Sequence, residues 1–102
     1  MMRVPPNQIA IQLAIKVIVE LSIQNLQPHK ISPSVEGGIG IEFRNKIKYC
    51  DIECFNTGEI LGVISKNKDS ADVFQIDNNK EDIRIGVKKI KDCILDELGI
   101  FY

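Results

Sequence analysis

One histidine and three cysteines are all that this chain of 102 residues offers for thiol or imidazole chemistry. His29 stands alone beside Pro28, so no candidate triad can be assembled, and its expected place is an exposed loop. Cys50, Cys54 and Cys93 are odd in number and too few for the disulfide framework of a small secreted domain, and no signal-peptide layout is present. Cys50 and Cys54 lie four apart with no paired histidine, a spacing that does not suit zinc. Reduced core thiols in a cytoplasmic protein are the expectation, with no metal and no cofactor. Charge of one sign is missing too: 13 basic against 14 acidic residues leave a formal −1, which supplies no general field for a polyanion. The lysines cluster at Lys46 and Lys48, at Lys66 and Lys68, and at Lys88, Lys89 and Lys91, but acids are interspersed each time, so solvated faces are expected rather than a nucleic-acid patch. There is no internal repeat and no low-complexity tract. With 44% hydrophobic and 26% charged residues, the chain reads as one soluble globular domain over residues 1–102.

The most apolar stretch is IAIQLAIKVIVELSIQNL, residues 9–26. Every odd position from Ile9 to Ile23 is a large aliphatic, a strand period, while Gln8, Gln12, Lys16, Glu20 and Gln24 recur every four, a helical stripe. The length, Ala10 and Ala14, and the start signal Pro5-Pro6-Asn7 favour a helix, ended by Gln27-Pro28. A membrane span is not expected, because Lys16 would sit near the bilayer centre at a cost of about 2.5–3.5 kcal/mol. Such a helix is aliphatic over most of its circumference, so the expectation is burial on two sides, by its own sheet and by a second chain, with Ile11, Ile15 and Val19 as the contact residues of a homodimer or partner complex.

From Ile39 the period changes to two, and IGIEFR, IKYCDIECF and EILGVISK form an antiparallel meander, with DVFQI as an optional fourth strand. Turns are expected at Asn45-Lys46 and at Asn56-Thr57-Gly58, the latter with Gly58 left-handed. Ile39, Ile41 and Phe43 then share a face with Cys50, Ile52 and Cys54, and with Ile60 and Ile64. A second helix follows, capped by Asn79 or Asn78, with the stripe Ile83, Val87, Ile90, Ile94 and Leu98 and a stop at Gly99. Gly86 suggests close approach to the sheet. The fold class is α+β, two-layered: N-terminal helix, three- or four-stranded antiparallel meander, C-terminal helix, both helices on one sheet face.

The other face collects Glu42, Asp51, Glu53 and Glu59, with Gly40 expected opposite Asp51. Asp51 and Glu53 lie two apart on one strand, a spacing at which carboxylates can share a divalent cation or divide acid and base roles, so a metal-dependent nuclease or hydrolase is the alternative reading. The lysine that common two-carboxylate nucleases carry two residues after the second acid is replaced here by Phe55, which lowers that reading below a solvated sheet. Tyr49, Phe55, Leu61 and Val63 are more apolar than solvent requires, and aliphatics rimmed by acids suit a protein contact. A non-enzymatic interaction module is therefore the leading functional expectation. The glycines of SPSVEGGIGIEF do not make a phosphate loop. A helix precedes the stretch and a strand follows, the reverse of the nucleotide-binding order, and Phe43 stands where a third glycine is needed. The stretch reads as a corner from the first helix into the first strand.

PHKISPSVEGGIGIEF followed by IECFNTGEI resembles a group of small cyanobacterial and proteobacterial proteins without an assigned activity. Their pattern is a helix ending near a proline, Ser-Pro-Ser or similar, Gly-Gly, an alternating strand, and a hairpin with Asn-Gly or Asp-Gly. Here Pro28, Ser32-Pro33-Ser34, Gly37-Gly38, Phe43 and Asn56-Thr57-Gly58 occupy those places, over about residues 5–65. The resemblance implies no catalytic residues, and an antitoxin or other defence-type role is an extrapolation from it. The Trp-rich segment that often precedes the first helix in such proteins is missing, which gives the expectation of a short form or a fragment.

Overall fold

A computed structural model describes residues 4–67 and 70–95. The element order is α1 (Gln8–Ile23), β1 (Lys30–Pro33), β2 (Gly38–Asn45), β3 (Lys48–Phe55), β4 (Ile60–Asn67), β5 (Ser70–Ile76) and α2 (Lys80–Ile94). All strands pair antiparallel in sequence order, and both helices pack on one face of the sheet, so the fold is the expected α+β two-layer arrangement with five strands instead of three or four. The additional strand is β1. Lys30 to Pro33 pair with Glu42 to Ile39, and the stretch Ser34–Gly37 is the turn of this hairpin, closed by Ser34 and Gly38. The glycine-rich corner thus joins two strands, not a helix to a strand.

α1 starts where Asn7 caps it, its Oδ1 accepting the Ala10 N–H at 3.0 Å. Asn56, in the β3–β4 turn, braces the same place: its Oδ1 accepts the Asn7 N–H at 2.8 Å and its Nδ2 donates to the Pro5 carbonyl at 3.0 Å. The helix ends four residues before Gln27-Pro28. Asn25 takes φ +60° and the Leu26 N–H bonds back to the Leu21 carbonyl while Asn25 N–H bonds to Ser22, a Schellman closure that satisfies the last carbonyls before the proline is reached. Leu26, buried, seals the end against the core.

The β2–β3 register differs from expectation by a turn shift that leaves the faces intact. Asn45 pairs with Lys48, so the two-residue loop is Lys46-Ile47, with Lys46 at φ +60°, not Asn45-Lys46. Moving the loop one residue changes every partner by two positions, and two positions preserve the face. Ile39, Ile41 and Phe43 accordingly lie opposite Cys54, Ile52 and Cys50, and Gly40 lies opposite Glu53 instead of Asp51. The second hairpin is as expected, with Gly58 at φ +100° and its N–H on the Phe55 carbonyl.

One cluster forms the core: Leu13, Val17 and Leu21 from α1, Ile41, Phe43, Ile52 and Ile60 from the sheet, Ile83, Val87 and Ile90 from α2. Each such side chain contributes about 1.5–3 kcal/mol by burial. Phe74 lies across Gly62, where any Cβ would meet its ring, and Gly86 lets Ile76 approach to 2.6 Å of where a Cβ would stand. Cys50, Cys54 and Cys93 are free and buried. Burial pushes Cys50 and Cys54 up to about 12, with the Cys93 thiol adding to the effect on Cys50. Asn79 caps α2, and the far end is closed by the sheet: Asn45 Nδ2 donates to the Ile94 carbonyl at 2.6 Å and Lys48 Nζ to the Cys93 carbonyl at 3.0 Å. Leu98 and the stop expected at Gly99 lie outside the described residues. No helix among the described residues is long and apolar enough to cross a membrane.

Candidate functional site

Two surfaces carry the residues singled out from the sequence. On the first, α1 turns Ala10, Leu13, Ala14, Val17 and Leu21 to the core and leaves Ile11, Ile15 and Val19 outward, 38%, 55% and 53% exposed. Ile18 and Ile23 join them on the same side. Gln8 and Gln12 are exposed on this side, but the rest of the polar stripe leaves it: Glu20 is buried, its carboxylate accepting from Gln24 Nε2 at 2.8 Å, and Lys16 is drawn to the margin by Asn78 Oδ1 at 3.1 Å. What remains is an aliphatic ridge with no free charge across it. Beside the ridge, a groove of about 360 Å³ opens between α1 and the start of α2, with Ile15, Val19, Ile23 and Ile83 among its lining.

On the second surface, the sheet face away from the helices, Asp51 and Glu42 are directly opposed and Glu53 follows two residues along β3. Asp51 is only 8% exposed. Tyr49 Oη donates to its Oδ2 at 2.9 Å, while its Oδ1 is buried and has no hydrogen-bond partner. Burial, joined by the like charges of Glu53 and Glu42, raises the Asp51 carboxyl from 3.8 to about 6 against the opposing pull of the Tyr49 hydroxyl. The phenol is raised in turn, by its own burial first and then by its bond to Asp51. Arg44 is the cation at hand, 3.7 Å from Glu42 and 5.2 Å from the Tyr49 ring centre. Glu59, the fourth acid of the expected cluster, is exposed beyond the hairpin turn and is not among the charges acting on Asp51. Among the described residues, no group of three or more His, Cys, Asp or Glu side chains is placed to hold a metal ion.

Leu61 and Val63 are half-buried on this face, opposite Glu53 and Asp51. They line a shallow trough of about 650 Å³ that includes Gly40, Glu42, Glu53 and Phe55. Its rim was not legible in the sequence: Lys30, Ser32 and Val35 come from the unforeseen β1 hairpin, and Val73 from β5. The only available signal was the short Lys-Ile-Ser-Pro run before the glycines. His29 is exposed in the loop after α1, as expected, with its N–H on the Glu42 carbonyl at 2.7 Å. The clustered lysines of α2 are individually occupied: Lys88 pairs with Asp92 at 3.3 Å, Lys89 lies 4.4 Å over the Phe74 ring, and Lys91 donates to the Gln24 carbonyl at 2.8 Å.

No family model, curated protein or solved structure matches the chain.

Proposed function

We propose that the protein is a non-enzymatic interaction module that pairs with a second copy of itself through the outward face of α1. The observation that carries this reading is the set of five aliphatics, Ile11, Ile15, Ile18, Val19 and Ile23, left open on one helix. Together they leave on the order of 400 Å² of apolar surface, the size of the largest patch on an ordinary monomer, which is often functional. A stable interface removes about 800 Å² per partner, and the ridge supplies roughly half of that before its polar margin is counted.

A second copy is the fitting occupant because the face is self-complementary. It carries an aliphatic ridge and an apolar groove side by side, so a two-fold axis would set each ridge into the other groove. Its charges lie at the groove: Lys16, bonded to Asn78, and Lys80 line it, and Glu20 is internal. An antiparallel helix pair would oppose the two macrodipoles favourably.

Size exclusion with light scattering tests the reading. The wild-type chain should elute as a species of twice 11.5 kDa at tens of micromolar, and Ile15→Lys should return the monomer with its circular dichroism unchanged. A wild-type monomer that persists at high micromolar concentration refutes it.

A further inference from the structure

The two edges of the sheet are built differently. β1, at one edge, is four residues long and carries Lys30 and Pro33, the devices that keep an edge from taking up another strand. β5, at the other, runs for seven residues without proline, lysine or arginine, and its middle residue, Val73, is 62% exposed. Which of its backbone groups are open follows from the ladder. The Phe55 N–H bonds to the Glu59 carbonyl, so along β3 it is Phe55, Glu53 and Asp51 that bond towards β4. Leu61 and Val63, opposite Glu53 and Asp51, are then turned to β3, which leaves Ile60, Gly62 and Ile64 to bond Ile76, Phe74 and Asp72. The irregularity between Ile64 and Asn67 adds its extra residue to β4, so the alternation along β5 is unbroken. Ala71, Val73 and Gln75 therefore point their N–H and C=O groups out of the sheet, and no strand among the described residues lies beyond them.

We propose that β5 adds to β5 of a second copy, antiparallel, about a two-fold axis at Val73. The spacing selects a second copy. The open residues are symmetric about Val73, so Val73 pairs with its own counterpart and Ala71 with Gln75 of the second copy, each pair exchanging both N–H···O bonds. The side chains agree with this register. Asp72 and Phe74 point to the helix side, Asp72 opposite Ile64 and Phe74 across Gly62. The two-fold axis sets Asp72 across from Phe74 of the second copy, and Lys89 stands 4.4 Å over that ring, so each Asp72 meets a Lys89. Among the described residues neither has an ion pair within its own chain, which leaves both charges for the contact. On the opposite face the two Val73 side chains come together, one β-branched residue against another. An edge of seven residues covers less than the about 800 Å² per partner of a stable interface, so the pairing forms at concentrations on the order of hundreds of micromolar.

This contact lies apart from the α1 face and does not rest on it, so the test is run on full-length Ile15→Lys, in which pairing through α1 is blocked. Sedimentation equilibrium from tens of micromolar to millimolar should show monomer giving way to dimer. Hydrogen exchange, read on the wild type as well, should find the Val73 and Gln75 amides protected at millimolar protein and open at tens of micromolar, a change that pairing through α1 does not produce. Asp72 and Lys89 are both exposed, so their charges can be exchanged without disturbing the core. Asp72→Lys should weaken the β5 dimer about tenfold, and adding Lys89→Glu to it should restore the dimer to within about twofold. A monomer throughout that range, with the two amides open at every concentration, overturns the proposal. A dimer that Asp72→Lys leaves unchanged, or a double variant no tighter than Asp72→Lys alone, overturns it too, because either result removes the contact between Asp72 and Lys89 on which the register stands.

Discussion

Replacing Asp51 by asparagine should make the protein more stable at neutral pH. The native carboxyl titrates at about 6 against an ordinary 3.8, about two units higher, because ionising it in a buried place beside Glu53 and Glu42 is unfavourable. A carboxyl raised in the folded state contributes stability that is whole below about pH 3.8 and lost as pH climbs through about 6. At about 1.4 kcal/mol per unit, the ionised wild type gives up about 3 kcal/mol by pH 7.5 relative to pH 3.8. Asparagine has nearly the same shape, keeps an oxygen to accept from the Tyr49 hydroxyl, and never ionises. Urea denaturation followed by circular dichroism at pH 4, 5, 6 and 7.5 measures the difference directly. Asp51→Asn should match the wild type near pH 4 and exceed it by about 2–3 kcal/mol at pH 7.5, a rise of roughly 10 °C or more in Tm. A stability difference flat across that range, or a less stable variant at pH 7.5, refutes the electrostatic account of the outer face.

Two further outcomes concern the core. Gly62→Val should cost about 2–4 kcal/mol in the same denaturation assay, because Phe74 fills the space a side chain would take and must be displaced; unchanged stability would mean the ring is not seated there. Cys50 and Cys54, buried and pushed up to about 12, should react with a thiol reagent at pH 8 only as fast as the chain opens, so labelling should accelerate with urea; immediate labelling of both in native buffer would contradict their burial.

The strand faces were legible because a two-residue period survives small errors. Ile41, Phe43, Ile52 and Ile60 could be assigned to the core even though the first turn lies one residue from where Asn45-Lys46 placed it. β1 was not legible, because a four-residue run ending in Pro33 carries almost no periodic signal, and it became a strand only by pairing with Gly40 and its neighbours. The outward side of α1 was legible at Ile11, Ile15 and Val19, but the burial of Glu20 was not, for the opposite reason. A helix aliphatic nearly all round has no preferred face in sequence, and the side that went inward took Glu20 with it, which required Gln24 at its carboxylate. The acids were visible as a cluster, but the burial of Asp51 was not. It follows from Tyr49 covering one oxygen and from Val63 on the neighbouring strand, contacts that exist only once the register is set.

The tie between Asn7 and Asn56 has a consequence for the order of assembly. The two residues are separated by 49 positions, so the N-terminal cap of α1 cannot be completed until the chain has been made through the second hairpin. On the ribosome the first helix therefore emerges well before the turn that anchors it. During that interval it holds every one of its aliphatics in water, those destined for the core and those destined to stay outside alike, which is the state in which chaperones and sister chains compete for a nascent segment.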